Sequence, residues 1–367
     1  MGDLKKSDPK SMTTATISSG QRPAREPQQK SQPLVEDSTR LGGYAYQIIR
    51  HQSKQVFKWR AEVLADTDVE ALHQMRIGTR RLRAALLLFE DVISDGAPTQ
   101  TQQNKSDQNI DSNIKKIAAS VKQITKTLGK VRDIDVMKAW FDEALSNDDL
   151  AFNKSEKKTV KKLLKTLKKR RKKQFSKMTK VLKSSDYKKL KKRCKQWLKR
   201  PTFSEKAQQS AVSSAIEKIV EPVTELLRHP GWQIATEQNA DKKQPIKNIS
   251  LSQLNQQLAQ EANQLHDLRK QIKQIRYQTE FFRGIYGITY AAQIREFRLL
   301  QKVLGQLQDQ LVISEFLSQT LGEDWAEQLP TIHTAFQTSR LSLWQQWQPL
   351  QAKYLALRAN LKEDIAA

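Results

Sequence analysis

The chain reads as all-α, and three observations predict this. Apolar residues recur at three- and four-residue steps over almost the whole length, no segment alternates with strand period over a useful length, and Gly and Pro number only 12 and 11 in 367 residues. Most of the prolines fall outside the periodic segments, as long helices require. A hydrophobic content of 38% suffices for a sizeable core, and the length suits one large domain or two repeats of ordinary size.

Taken in order, residues 1–38 are rich in Ser, Thr, Gln, Lys and Pro, with almost no large apolar side chains. They cannot offset the entropy of ordering and are expected to form a disordered tail. From Leu41 onward Tyr44, Ile48, Ile49, Val56, Trp59 and Val63 recur at helical spacing. Residues 96–112 are polar, Gln/Asn-rich and aperiodic, which predicts a loop insertion. Helical patterning resumes from Ile114 to about Leu145. Residues 154–200 hold 23 Lys or Arg against two acids, Glu156 and Asp186, yet keep an apolar stripe through Val160, Leu163, Leu164, Leu167, Phe175, Met178, Val181 and Leu182. A break at Ser184–Ser185 precedes the same pattern in Leu190, Cys194, Trp197 and Leu198. This predicts a Lys-rich helical hairpin with one face on a core and the other a dense cationic surface. His229-Pro230-Gly231 closes another helix, Pro245 marks a polar connector, and residues 251–321 are again helical. Pro330 then separates a final helix whose apolar face is built on Leu341, Leu343, Trp344, Trp347, Leu350, Tyr354 and Leu357.

The charge is one-sided. Sixty-four Lys and Arg against 39 Asp and Glu leave a net +25, a field that raises encounter rates with any polyanion and makes binding salt-sensitive. No run of about 18 apolar residues is present, and the N-terminus lacks the apolar segment of a secretory signal. Cys194 is alone, so no disulfide framework or Cys-based metal site can be built from it, and a cytoplasmic setting is expected. Neither a cofactor motif nor a metal-ligand set is read from the sequence.

Two segments read alike. Leu72-His73-Gln74-Met75-Arg76 runs through Arg80-Arg81-Leu82-Arg83 to Phe89, and Leu265-His266-Asp267-Leu268-Arg269 runs through Lys273-Gln274-Ile275-Arg276 to Phe282. His73, Arg76, Arg80 and Arg83 thereby match His266, Arg269, Lys273 and Arg276 at a constant offset of 193. A second element, Leu128-Gly129-Lys130-Val131-Arg132-Asp133, matches Leu304-Gly305-Gln306-Leu307-Gln308-Asp309 at an offset of 176. The two offsets differ by 17, the length of the stretch 96–112. The chain is therefore expected to be a duplication, with halves at about 41–200 and 201–360 and the loop added to the first.

On a helix at about 100° per residue, the cations three, seven and ten positions after each His fall with it inside an arc of about 80°. In the second copy Lys270 and Tyr277 join that face. Met75, Leu82, Leu86 and Phe89 lie on the opposite side in one copy, and Leu268, Ile275 and Phe282 in the other. Each copy thus offers a cationic ridge about 15 Å long, backed by core. Arg supplies a planar fork to phosphate, Lys a point charge, and His a donor whose cationic state an anion favours. Arginines at helical spacing usually mark a solvated face, but two copies with the same four positions cationic or imidazole favour an anion site.

The motif from His73 to Phe89, the element Leu128-Gly129 with Arg132-Asp133, Asp135 and Val136, and their counterparts from His266 and Leu304 resemble the family of conserved histidine α-helical domains, CHAD. The likeness spans about residues 41–360. It implies two pseudo-symmetric four-helix bundles with a basic groove or pore between them that binds inorganic polyphosphate, and a location that can include polyphosphate granules. The site residues it implies are His73, Arg76, Arg80, Arg83 and Arg132 from the first copy. From the second come His266, Arg269, Lys270, Lys273, Arg276 and Tyr277.

Other function classes fit less well. A phosphohydrolase needs carboxylates that hold metal, or a nucleophile with a base, on the phosphate face, and the ridge carries cations. Asp133 and Asp309 are expected to orient nearby arginines through ion pairs. Nucleic acid is the serious rival, since the same charge neutralises a phosphodiester backbone. Single-strand binding recruits exposed aromatics, however, whereas Trp59, Trp197 and Trp344 fall on helix faces expected to be buried. A third reading is a protein-interaction scaffold acting as an adaptor to granules.

Overall fold

The computed structural model describes residues 39–93, 108–239 and 242–366. Its described elements are α1 (Leu41–Lys58), α2 (Arg60–Ala65), α3 (Val69–Leu88), α4 (Glu90–Ile93), α5 (Gln108–Ser146), α6 (Lys154–Lys183), α7 (Ser185–Lys199) and α8 (Ala211–Arg228). They continue through the strands β1 (Thr236–Asn239) and β2 (Lys242–Pro245) to α9 (Leu251–Gln260), α10 (Ala262–Phe281), α11 (Arg283–Leu321), α12 (Trp325–Gln328) and α13 (Pro330–Ala366). The protein is all-α apart from that short ribbon. None of the described helices is long and apolar enough to cross a membrane.

Two expectations need correction. The connector before Pro245 contains an antiparallel pair, with Thr236 opposite Pro245 and Asn239 opposite Lys242. Its residues are almost all polar and exposed, so no buried face imposes the alternation by which a strand is recognised. The polar stretch 96–112 is not loop throughout, because α5 already begins at Gln108. A helix continues into polar sequence once the apolar face from Ile114 onward has nucleated it. The remainder of that stretch, and the tail expected over 1–38, lie outside the described residues.

The helix boundaries have local causes. Asp68 caps α3 by accepting from the Glu70 amide, and Asn153 with Glu156 forms a reciprocal capping box on α6. Glu156 also accepts from the Thr331 amide and hydroxyl, tying the start of α13 to the start of α6. Ser184 ends α6 and caps α7 through the Tyr187 amide, which makes the expected hairpin break. Ser250 and Gln253 form a second capping box on α9.

Three cores hold the helices. The first is built on α1, α3, α5 and α7 and takes in Tyr277, Phe281 and Phe282 from the later part of the chain. A second joins α9, α10, α11 and α13 around Trp232, Trp344 and Trp347. Trp140, Phe141, Leu163, Leu167, Phe316, Leu329 and Phe336 form the third, which joins α5 and α6 to α11, α12 and α13. Two of the three cores therefore draw on both sequence repeats. Gly78 permits the close approach of α1 and α3: a Cβ there would lie 3.2 Å from backbone atoms of Gln55 and Val56. Cys194 is buried in the first core, and burial pushes its thiol up to about 12, as expected of an inert side chain.

Candidate anion-binding site

The sequence repeat is matched in the helix bounds. Helix α10 has the bounds of α3 displaced by 193 residues at both ends, and α5 and α11 are each 39 residues long. Met75, Leu82, Leu86, Phe89, Leu268, Ile275 and Phe282 are all buried, as the apolar stripes predict. Helices α3 and α10 pack on one another, which brings Arg80 of the first ridge beside Arg269 and Lys273 of the second.

Each His-x-x-Arg arginine lies over the glycine of a Leu-Gly element. Arg76 Nε and Nη2 are each 3.6 Å from where a Cβ on Gly129 would sit, and Arg269 Nη2 and Nε are 3.8 and 3.9 Å from the corresponding point on Gly305. Arg76 Nη2 donates to Asp133 at 3.1 Å, the ion pair expected of that aspartate. Asp309 lies near Arg269 and Lys273, with its Oδ2 buried and without a hydrogen-bond partner. Burial raises the Asp309 carboxyl above its ordinary value, although both cations oppose this.

Around these pairs the cations crowd. Arg269 stands against Arg80, and Lys273 is surrounded by Arg269, Arg80, Arg76 and Arg276. Burial first, and then these four arginines, hold the Lys273 ammonium well below its usual range. Burial and Arg80 likewise push Arg76 down to about 10. The Nε atoms of Arg76 and Arg269, and the Nδ1 of His73, are buried without a hydrogen-bond partner. The two arginine atoms occupy matched positions of the repeat, and buried nitrogens without partners beside so many cations mark a place that an anion's oxygens could satisfy.

The remaining expected residues are placed differently. Arg132 is half-buried against Glu70, Asp133 and Asp135, next to His73. His266 Nδ1 lies 2.9 Å from Gln308 Oε1, the ring N–H donating. Arg83 is exposed, and exposed Lys270 pairs with Asp267 at 2.9 Å. Arg276 and Tyr277, expected on the outer ridge, are buried at 6% and 8% exposure. The packing of α10 on α3 covers that end of the helix. Arg276 donates to Gln301 at 2.7 Å and pairs with Glu280, its guanidinium lying 4.4 Å from the Tyr277 ring centre. Glu280 also takes Arg81 and Arg298, so one enclosed carboxylate gathers three arginines from α3, α10 and α11. Sequence reading missed this network, because Arg81 and Glu280 are 199 residues apart and only the packing joins them. The contrast between Arg132 and Gln308 was open to view as a mismatch between aligned copies.

Among the described residues no group of three or more His, Cys, Asp or Glu is placed to hold a metal ion. The CHAD domain model matches residues 47–107 and 110–318. Among solved structures, the chain is similar to the crystal structure of the CHAD domain from the plant Ricinus communis, at 23% identity and a TM-score of 0.55, covering 91% of this chain and 95% of that one. It is also similar to PptA from Streptomyces chartreusis, at 14% identity and a TM-score of 0.53, covering 84% of this chain and all of that one. No curated protein sequence matches. With the family model matched over most of its length and the duplicated histidine–arginine helices set against one another, the chain belongs to the CHAD domain family.

Proposed function

We propose that the protein is a non-catalytic binder of inorganic polyphosphate, which it holds where α3 meets α10. The observation that carries this reading is the gathering of Arg76, Arg80, Arg269 and Lys273 from both motifs around donors that lack partners. A linear polymer with one negative charge per unit supplies counter-charge to all four at once, and its oxygens suit guanidinium and ammonium donors alike. Asp133 bonds Arg76, and Asp309 lies near Arg269 and Lys273, which suits carboxylates that orient cations. Among side chains described, no Trp, Tyr or Phe is exposed, which supports a polymer without bases over single-stranded nucleic acid. Burial of Trp197 and Trp344 fits the same reading, and half-buried Trp59 is covered by Lys58 at 4.5 Å. Attachment to polyphosphate granules in the cytoplasm would follow from such binding.

Titration of the purified protein with long-chain polyphosphate, single-stranded DNA and duplex DNA in one buffer at about physiological salt tests the reading. Polyphosphate is expected to bind most tightly at equal charge. Equal or tighter binding of either DNA would overturn it.

A further inference from the structure

The two motifs differ at one aligned position in a way that bears on ligand binding. The offset of 176 that relates Gly129 to Gly305 and Asp133 to Asp309 also relates Arg132 to Gln308. In the second motif the imidazole is satisfied, since His266 Nδ1 donates to Gln308 Oε1 at 2.9 Å. In the first motif the residue in that place is an arginine, which has no atom able to accept from an imidazole N–H. His73 Nδ1 is accordingly buried without a partner. Facing His73 are Glu70, Arg76 and Arg80 from its own helix and Arg132 from α5, while Arg269 of α10 stands beyond Arg80. Arg76 and Arg132 have carboxylates beside them in Asp133, Asp135 and Glu70, but none of these accepts from His73 Nδ1, and that is the place an anion would complete.

Building on the polyphosphate reading, we infer that His73 and Arg132 form a proton-coupled end of the site, where a bound phosphate draws a proton from solvent onto His73. In the free protein, burial and then Arg132 hold His73 at about 4, so the ring is neutral at neutral pH. A phosphate between Arg132 and Arg80 reverses the local field and favours the imidazolium, which then donates to a phosphate oxygen. The sign follows from linkage. Between the free and bound pKa values of His73 the complex carries one more proton than the free protein, so affinity rises as pH falls through that window, by up to about tenfold per pH unit.

The test is a titration of the full chain with long-chain polyphosphate from pH 7.5 to 5.5, long chains being used because their internal phosphates do not titrate in this range. Wild type should tighten as pH falls, whereas His73→Gln should show a flatter profile, with circular dichroism as the folding control. Calorimetry of the wild type in buffers of different ionisation heat gives a reading independent of any variant, with net proton uptake expected on binding. Equal pH slopes for wild type and folded His73→Gln, or absence of proton uptake, would overturn the coupling while leaving polyphosphate binding intact. Failure of every protein to bind at any pH would overturn both.

Discussion

The guanidinium of Arg76 lies in contact with Gly129, 3.6 Å from where a Cβ would sit, and Arg269 repeats the arrangement over Gly305. The glycine thus gives the arginine a flat helix surface to lie on while Asp133 fixes its outer nitrogen. The contact leaves room for a methyl group at these positions in the interior of α5 and α11, but not for a larger side chain.

A methyl group at 3.6 Å is in ordinary van der Waals contact, so Gly129→Ala should leave Arg76 in place. It should also stabilise the protein by roughly 0.5–1 kcal/mol, the usual gain for alanine over glycine within a helix. Gly129→Leu should displace the guanidinium and weaken polyphosphate binding. Thermal unfolding together with titration checks both halves of the statement.

Lys273 should show a conflict between stability and binding. Its ammonium is partly buried among four arginines, so Lys273→Met should raise the stability of the free protein and lower its affinity for polyphosphate. The pH dependence has a definite sign. Because the folded pKa lies below the unfolded value, the unfolded chain binds more protons between the two, and stability attributable to this residue rises as pH climbs through that window. Denaturant unfolding of both proteins at several alkaline pH values should show a shallower rise in the variant.

Glu280 should matter to folding more than to binding. Burial alone would raise its carboxyl, but Arg276, Arg81 and Arg298 outweigh burial and hold it below its usual range. Its contribution is therefore present above the unfolded carboxylate pKa and is lost as pH falls through the lower, folded value. Glu280→Gln should cost on the order of 3 kcal/mol at neutral pH, the low end for a broken buried pair because Arg298 is 42% exposed. Equilibrium denaturation measures this. For the same reason Arg276→Ala should lose stability, unlike substitution of Arg83 on the exposed ridge.

Chain length should govern affinity. A long anion reaching both motifs gains effective concentration that a short one cannot. Pyrophosphate and triphosphate should bind much more weakly than chains of tens of phosphates, and a length series by calorimetry checks it.

Much of this was legible in the sequence because it is written in period and repetition. The 3.6-residue period marks the helices, and the offset of 193 marks α3 and α10. The break at Ser184, the buried stripe of α6 and the Arg76–Asp133 pair were legible for similar local reasons. Burial of Arg276 and Tyr277 was not, because periodicity tells which face of α10 opposes the apolar stripe and not that α3 covers part of it. Glu280 and its three arginines were hidden in the same way. The β1–β2 ribbon escaped because its pairing rests on backbone hydrogen bonds among exposed polar residues.

The most direct measurement of the central claim is the dissociation rate of long-chain polyphosphate from two variants. In one, Arg76, Arg80, Arg269 and Lys273 are replaced by Ala; in the other, Lys168, Lys169 and Lys172, exposed on α6, are reversed to Glu. The first should remove charge-assisted contacts, each worth roughly 1.5–3 kcal/mol before non-additivity, and speed dissociation by orders of magnitude in a folded protein. The second should mainly slow association and reduce the salt slope, leaving dissociation near the wild-type rate. An unchanged dissociation rate in the folded first variant, with binding lost in the second, would contradict the account and place the polymer on the hairpin.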